Sequence, residues 1–227
     1  MRTLIYAPVI HTSADLGSLA EEVTKRGVAD LGKDVWDKHM ASVEKFWDVI
    51  LEYFESMDVS GVKIYQDGMV AEGEVGQRIV EEGVKSGSRN YELVARLLKR
   101  GAVLVKTEDF NLIKEERNRL LALTQTKSIT HKLIAFIKYK LAKDRLLNKR
   151  DEFIAQRINE TLNEGRTGII FIGAYHNINL RLCRDIQIKE IKSVQKVRDY
   201  QRLLPFWRKN KKQFEDLEKY IVSKMEM

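Results

Sequence analysis

The residues of this chain that could do chemistry gather where apolar runs stop. Gly168-Ile169-Ile170-Phe171-Ile172-Gly173 leads through Ala174-Tyr175 into His176, and Leu4 to Ile10 leads into His11. Val62-Lys63-Ile64-Tyr65 ends in Gln66 and Asp67, and Ala102-Val103-Leu104-Val105 ends in Lys106, Thr107, Glu108 and Asp109. Imidazoles and carboxylates brought together can hold a divalent metal (Zn, Mn or Fe), or divide general-base and electrostatic roles around a water molecule. On that ground His11, His176, Asp67 and Asp109 are candidate metal ligands, and His11, His176 and Glu108 candidate catalytic groups. Each residue alone also has a plainer reading: a strand-end histidine bonds a neighbouring loop, and a strand-end carboxylate caps the next helix. Four strands ending in such groups favour a shared site. His39 and His131 fall in helical stretches and take no role.

Strands must carry these ends to one place. The run at 168–173 has no two-residue alternation, so as a strand it is covered on both faces, as in a parallel α/β sheet. Each of the first three gaps between strands holds at least one helical pattern, and such connections return the next strand parallel with a right-handed crossover. His11, Asp67, Glu108 or Asp109, and His176 then share the carboxyl edge of the sheet, where open α/β folds bind ligands. The expected fold class is α/β, with a mainly parallel central sheet of about four to six strands flanked by helices.

The helices follow from apolar spacing. Trp36, Met40, Val43, Trp47, Ile50 and Phe54 predict a long helix over about Lys33 to Met57, its tryptophans in the core. Shorter patterns fall around Leu19 to Lys25, at Glu74 to Lys85 and at Asn90 to Arg100, with Gly101 placed as a terminating glycine. Ser13 or Asp15 can cap the first of these, and the small residues around them suit a ligand-facing loop equally well. Gln66-Asp67-Gly68 predicts a sharp turn with positive φ at the glycine. Helical runs then cover about Asn111 to Leu123, Lys127 to Lys143 and Leu146 to Glu164, with a kink or break near Thr124 to Ser128. Ile186 to Ile191 reads as an edge strand whose direction is left open, because its connection is short for a parallel crossover. The organisation expected is a single α/β domain over residues 1–227, with a helical insertion at about 111–165 and a helical tail at about 194–227, broken at Pro205. No glycine group has phosphate-loop spacing followed by Gly-Lys-Ser/Thr, which argues against a nucleotide P-loop.

Composition bounds the function. A chain of 227 residues, 44% hydrophobic and 32% charged, can build a full core and is neither disordered nor fibrous. Its one cysteine, Cys183, allows no intramolecular disulfide and no zinc module, which fits a reducing compartment. No apolar run approaches the ~20 residues of a membrane span, so a cytoplasmic protein with no membrane partner is expected. The net charge of +7 is uneven: residues 127–150 hold 8 Lys+Arg against 1 Asp+Glu, and 177–227 hold 13 against 7. Such zones are either solvated helix faces or grips for nucleic acid.

Two adjoining segments resemble a known family. Arg150-Asp151-Glu152-Phe153-Ile154-Ala155-Gln156-Arg157-Ile158 followed by Gly173-Ala174-Tyr175-His176 is similar to the TraB/Tiki group of the erythromycin-esterase-like and ChaN-like superfamily. There an Arg-Asn/Asp helix start, an Ile-Ala helix and a strand ending Gly-x-x-His follow one another. The family's second Gly-x-x-His falls where this chain has Pro8-Val9-Ile10-His11, which keeps the histidine and loses the glycine. Depending on the branch, the resemblance implies paired histidines and a glutamate serving metal-dependent proteolysis, a histidine and carboxylates activating water on an ester, or haem binding. It brings in Arg150 as a further candidate catalytic residue. Physically, that guanidinium could fix a substrate carboxylate or phosphate by two parallel hydrogen bonds, or pair with Glu108 or Asp109.

The leading expectation is a hydrolase-like protein that uses the His11/His176 edge, with or without a divalent metal, on an ester, amide or similar bond of a small-molecule or peptide ligand. The alternatives are a nucleic-acid binder gripping through Lys127 to Arg150 and the basic tail, and a small-molecule or anion sensor on the same edge. Homo-oligomerisation stays open.

Overall fold

The computed structural model describes residues 1–12, 14, 15, 20–125 and 129–225, with side chains except at 123–125, 129–138 and 140. Its strands are β1 (Arg2–Val9), β2 (Lys63–Gln66), β3 (Val103–Val105), β4 (Thr167–Gly173) and β5 (Ile186–Glu190). They form one wholly parallel sheet in the order β3-β2-β4-β1-β5. The expected α/β fold is observed. β4 lies at the centre, and Ile169, Ile170, Phe171 and Ile172 are each 0% exposed, which is why the run shows no alternation. β5 runs parallel to β1 after a connection that carries only one short 3₁₀ turn, Asn179–Arg181.

The helices are α1 (Ala20–Leu31), α2 (Lys33–Glu55), α3 (Gly73–Lys85), α4 (Arg89–Lys99), α5 (Phe110–Gln125), α6 (Ile129–Thr161), α7 (Val194–Leu203) and α8 (Lys211–Ile221). One face of the sheet is covered by α2, which also packs on α4 and α8. Phe54 of α2 meets Phe171 of β4 edge-on, ring centres 5.6 Å apart. On the other face α6 lies along the sheet, and the Tyr65 hydroxyl of β2 bonds Thr161 Oγ1 of α6 at 2.8 Å.

The two helical runs expected at Lys127 to Lys143 and Leu146 to Glu164 are one helix, α6. Ala142, Leu146, Arg150, Ile154 and Ile158 recur every four residues and are all buried, so the buried stripe runs straight through the charged Lys143-Asp144-Arg145 stretch. At 1.5 Å per residue α6 is about 50 Å long, roughly twice the length of β4. The break expected near Thr124 to Ser128 falls between α5 and α6, partly outside the described residues.

The topology creates a crevice. From β2 the chain moves to β3 on one side, whereas from β4 it moves to β5 on the other. Adjacent strands whose connections diverge leave an opening at their carboxyl ends. Asp67 and His176 follow β2 and β4 at that point, and His11 follows β1 on β4's other flank.

Candidate functional site

Asp67 stands at the middle of the edge. It leaves β2 with its own N–H on the Phe171 carbonyl at 2.8 Å, and Gly68 at φ +78 turns the chain away behind it, as the sequence predicts. Its Oδ2 accepts the Gly173 N–H at 3.0 Å, and its Oδ1 accepts from Arg150 at 2.6 Å. Burial alone would raise this carboxyl, but the charges of His176, Arg150 and His11 and the Gly173 N–H hold it far below the ordinary carboxylate range.

Both imidazoles face that carboxylate. His176 Nε2 is 3.6 Å and His11 Nε2 3.8 Å from the same oxygen, Asp67 Oδ2. Each ring turns its other nitrogen toward a carboxylate of its own. His176 Nδ1 is hydrogen-bonded to Asp151 Oδ1 at 2.5 Å, and Asp151 Oδ2 also accepts the Asn177 N–H at 2.8 Å. His11 Nδ1 is 3.9 Å from Asp15 Oδ2, an oxygen that also accepts the Thr12 N–H at 2.6 Å. The two sides differ in exposure: the His176 side chain is 5% exposed and that of His11 40%. Burial lowers the pKa of His176, yet the Asp67 charge and the Asp151 hydrogen bond together outweigh burial and Arg150, and the net shift is upward. Carboxylate on Nδ1 fixes the tautomer with the lone pair on Nε2, the arrangement found behind general-base and metal-binding histidines.

Arg150 joins the acids. Its Nε lies 3.2 Å from both Glu108 oxygens, its NH2 2.5 Å from Glu108 Oε1, and its NH1 2.6 Å from Glu116 Oε2. Of the two roles open to this guanidinium, the structure shows the internal pairing, with Glu108 rather than Asp109. Glu108 is 0% exposed and set by its backbone, since its N–H and that of Thr107 both reach the Met69 carbonyl. Burial pushes its carboxyl up to about 7 against the pull of Arg150.

Asp109 sits elsewhere. Its Oδ1 accepts the N–H groups of Asn111 at 2.8 Å and Leu112 at 3.1 Å, which makes it the N-cap of α5, so its expected place among the metal ligands is corrected. The Arg150-Asp151 pair is likewise not a helix start, as the resemblance implies, but lies within α6. Sequence reasoning missed Asp15, Glu116 and the role of Asp151. The last left a signal: Arg150-Asp151 are polar residues inside an otherwise apolar buried stripe.

The donor set fits a divalent ion on one side. Oxygen or nitrogen atoms of Asp67, Glu108 and His176 lie within 4.8 Å of one another. Glu108, however, already receives Arg150 on both oxygens. His176 Nε2 and Asp67 Oδ2 are the members of that group that could hold Zn, Mn or Fe, while His11 Nε2 lies outside it and approaches the same Asp67 oxygen at 3.8 Å; Asp151 and Asp15 stand behind the two imidazoles. Gly173 keeps the space between them open. A Cβ there would lie 3.4 Å from Asp67 Oδ2, 3.6 Å from His176 Cδ2 and 3.8 Å from His11 Nε2.

The basic stretch from Lys127 lies mostly outside the described side chains, and among the described residues no helix is long and apolar enough to cross a membrane. No family model, no curated protein and no solved structure matches the chain.

Proposed function

We propose that the chain is a hydrolase of the TraB/Tiki-like kind whose reacting centre is the space among His11, His176 and Asp67. One observation carries this reading: two carboxylate-backed imidazoles present their Nε2 atoms to the same carboxylate oxygen. His176 takes the proton of an attacking water on Nε2, and Asp151 stabilises the imidazolium that results. Asp67, ionised through its surroundings, faces both Nε2 atoms and favours the imidazolium that proton uptake creates. Arg150 gathers Glu108, Glu116 and Asp67 and keeps these three neighbouring carboxylates from repelling one another apart. In an alternative, metal-loaded form, a divalent ion held by His176 and Asp67 beside His11 would occupy the Nε2 lone pair of His176 and would act as the Lewis acid that makes bound water easier to ionise, in place of the imidazole base.

The test uses untagged protein and a His11→Ala/His176→Ala double variant, assayed on 4-nitrophenyl acetate with and without added Zn or Mn, alongside metal analysis of both. Wild type should turn over the ester, and the double variant should lose at least about 100-fold. Equal rates in two equally folded proteins would remove this site from any hydrolysis.

A further inference from the structure

The turn that carries His176 is wrapped in positive charge. Gly173, Ala174, Tyr175 and His176 form it, and the His176 N–H closes it on the Gly173 carbonyl at 3.1 Å. Three cations touch this turn or the residue after it. Arg198 of α7 donates from Nε to the Ala174 carbonyl at 2.8 Å, the Lys143 ammonium of α6 stands 5.9 Å from the centre of the Tyr175 ring, and Arg181 donates from NH1 to the Asn177 carbonyl at 3.0 Å. The first residue of the turn, Gly173, is the one that faces both His11 and His176. Arg198 is therefore held at the residue next to the floor of the reacting space.

These cations lack acids. Among the described residues none of the three is paired with a carboxylate, whereas Arg150 holds three and Arg202, one turn further along α7, pairs with Asp199 at 2.9 Å. Arg198 and Arg181 are half-buried, so they lose hydration without a counter-charge to replace it. Arg181 places its NH2 on Asn148 Oδ1 at 3.3 Å, but NH1 and NH2 of Arg198 bond nothing among the described residues. That leaves a free fork, the shape that takes a carboxylate or a phosphate by two parallel hydrogen bonds. The acids on the inner side of the turn are already partnered, Glu108, Glu116 and Asp67 by Arg150 and Asp151 by His176.

We infer that the substrate carries a carboxylate or phosphate beside the bond that is cut, and that Arg198 is the specificity-determining residue that binds it through NH1 and NH2, with Lys143 and Arg181 adding their charge around the same turn. The inference rests on the hydrolytic reading above. An anionic group held on the Ala174 side of the turn leaves the neighbouring carbonyl to the space over Gly173, where His176 Nε2 takes the proton of the attacking water.

Specificity is read as a ratio of kcat/KM, so mono-4-nitrophenyl glutarate is set against 4-nitrophenyl butyrate, which has no carboxylate, with spontaneous hydrolysis subtracted. Wild type should favour the glutarate ester at least about tenfold, and Arg198→Gln should bring that ratio below about threefold. Loss of a purely structural bond to Ala174 would slow both esters alike and leave the ratio where it was. A wild-type ratio near one, or a ratio that Arg198→Gln does not lower, overturns the inference. Should Arg198→Gln not fold, Lys143→Gln/Arg181→Gln decides instead, because it leaves the Arg198 bond to the turn in place; it should lower the ratio at least about twofold, and an unmoved ratio overturns the inference. Calorimetric titration with glutarate and with inorganic phosphate adds a readout free of turnover: Arg198→Gln should weaken the tighter of the two at least about tenfold, and that one names the anionic group. Equal affinity in wild type and Arg198→Gln, or no binding of either anion by wild type, overturns the role of Arg198 whatever the esterase assay shows. Wild type that hydrolyses neither ester yet binds an anion through Arg198 overturns the hydrolytic reading and leaves the anion site standing.

Discussion

Two buried histidines mark two kinds of interior. His39 of α2 is 8% exposed, with Nδ1 2.9 Å from the Tyr200 hydroxyl and its ring set between Trp36 and Tyr200. Burial drives its pKa down to about 4, and the more distant Glu218 opposes this too weakly to matter. His176 is 6% exposed, yet its pKa moves the other way, because Asp67 and Asp151 outweigh burial. The same side chain at the same depth is thus neutral packing in one region and a basic group in the other. Depth does not separate them; assembled charge does, and charge assembled where burial opposes it is what supports the proposal that the sheet edge is the site.

The largest expected effect comes from dismantling that charge. Arg150→Met would leave Glu108 and Asp67 buried without their cation, and should cost about 3–5 kcal/mol, read from urea unfolding at pH 7. A loss below about 1 kcal/mol would mean that the acids do not depend on Arg150, and the contrast with the His39 region would collapse.

Next in size is pH, where the two histidines should act with opposite sign. His39 has a folded pKa below the ordinary 6.5, so its stability contribution is complete above that value and is lost as pH falls toward about 4. The full loss is about 3 kcal/mol. His176 has a raised folded pKa, so its contribution is complete below about 6.5 and is lost as pH rises through the folded value. His39→Gln should therefore flatten the acid side of a stability profile from pH 4 to 9, and His176→Gln the alkaline side. Identical flattening by both variants would show that the environments do not differ.

How much of this was legible in the sequence depends on range. Unbroken apolar runs and the helical spacing between them carried the parallel sheet, and a strand ending in His176 carried its place at the edge. Local spacing could not decide between Glu108 and Asp109, adjacent residues at one strand end: the first turns inward to Arg150 and the second caps α5. The carboxylate behind His176 lies 25 residues away on another element, and only α6 packing on the sheet selects it. Asp15 was visible as a cap, but its tie to Ser88 spans 73 residues. The continuity of α6 was hidden by Lys143-Asp144-Arg145, which read as a boundary although its neighbours Ala142 and Leu146 keep the four-residue stripe.

A smaller effect isolates one hydrogen bond. Asp151→Asn keeps the shape and removes the charge behind His176, at a cost of about 1–3 kcal/mol for a buried bond to a charged group. Imidazole titration by NMR should show the His176 pKa falling while that of His39 stays near 4. A His176 pKa that does not move would assign its upward shift to Asp67 alone.

The smallest stability effect should accompany one of the larger losses of function. Gly173→Ala adds a methyl group at ordinary contact distances, 3.4 Å from Asp67 Oδ2 at the nearest, so the unfolding free energy should stay within about 0.5 kcal/mol. That methyl nevertheless stands between the two imidazoles and the carboxylate they share, where an attacking water would have to sit. Turnover of 4-nitrophenyl acetate should fall at least about tenfold, because a displaced reactant forfeits the orientation the site supplies. His39→Gln should do the reverse and lower acid-side stability while leaving turnover alone. If Gly173→Ala were instead as active as wild type, the space among His11, His176 and Asp67 would not be where the reaction happens, and the carboxylate-backed imidazoles would have to be read, like His39, as part of how the chain packs.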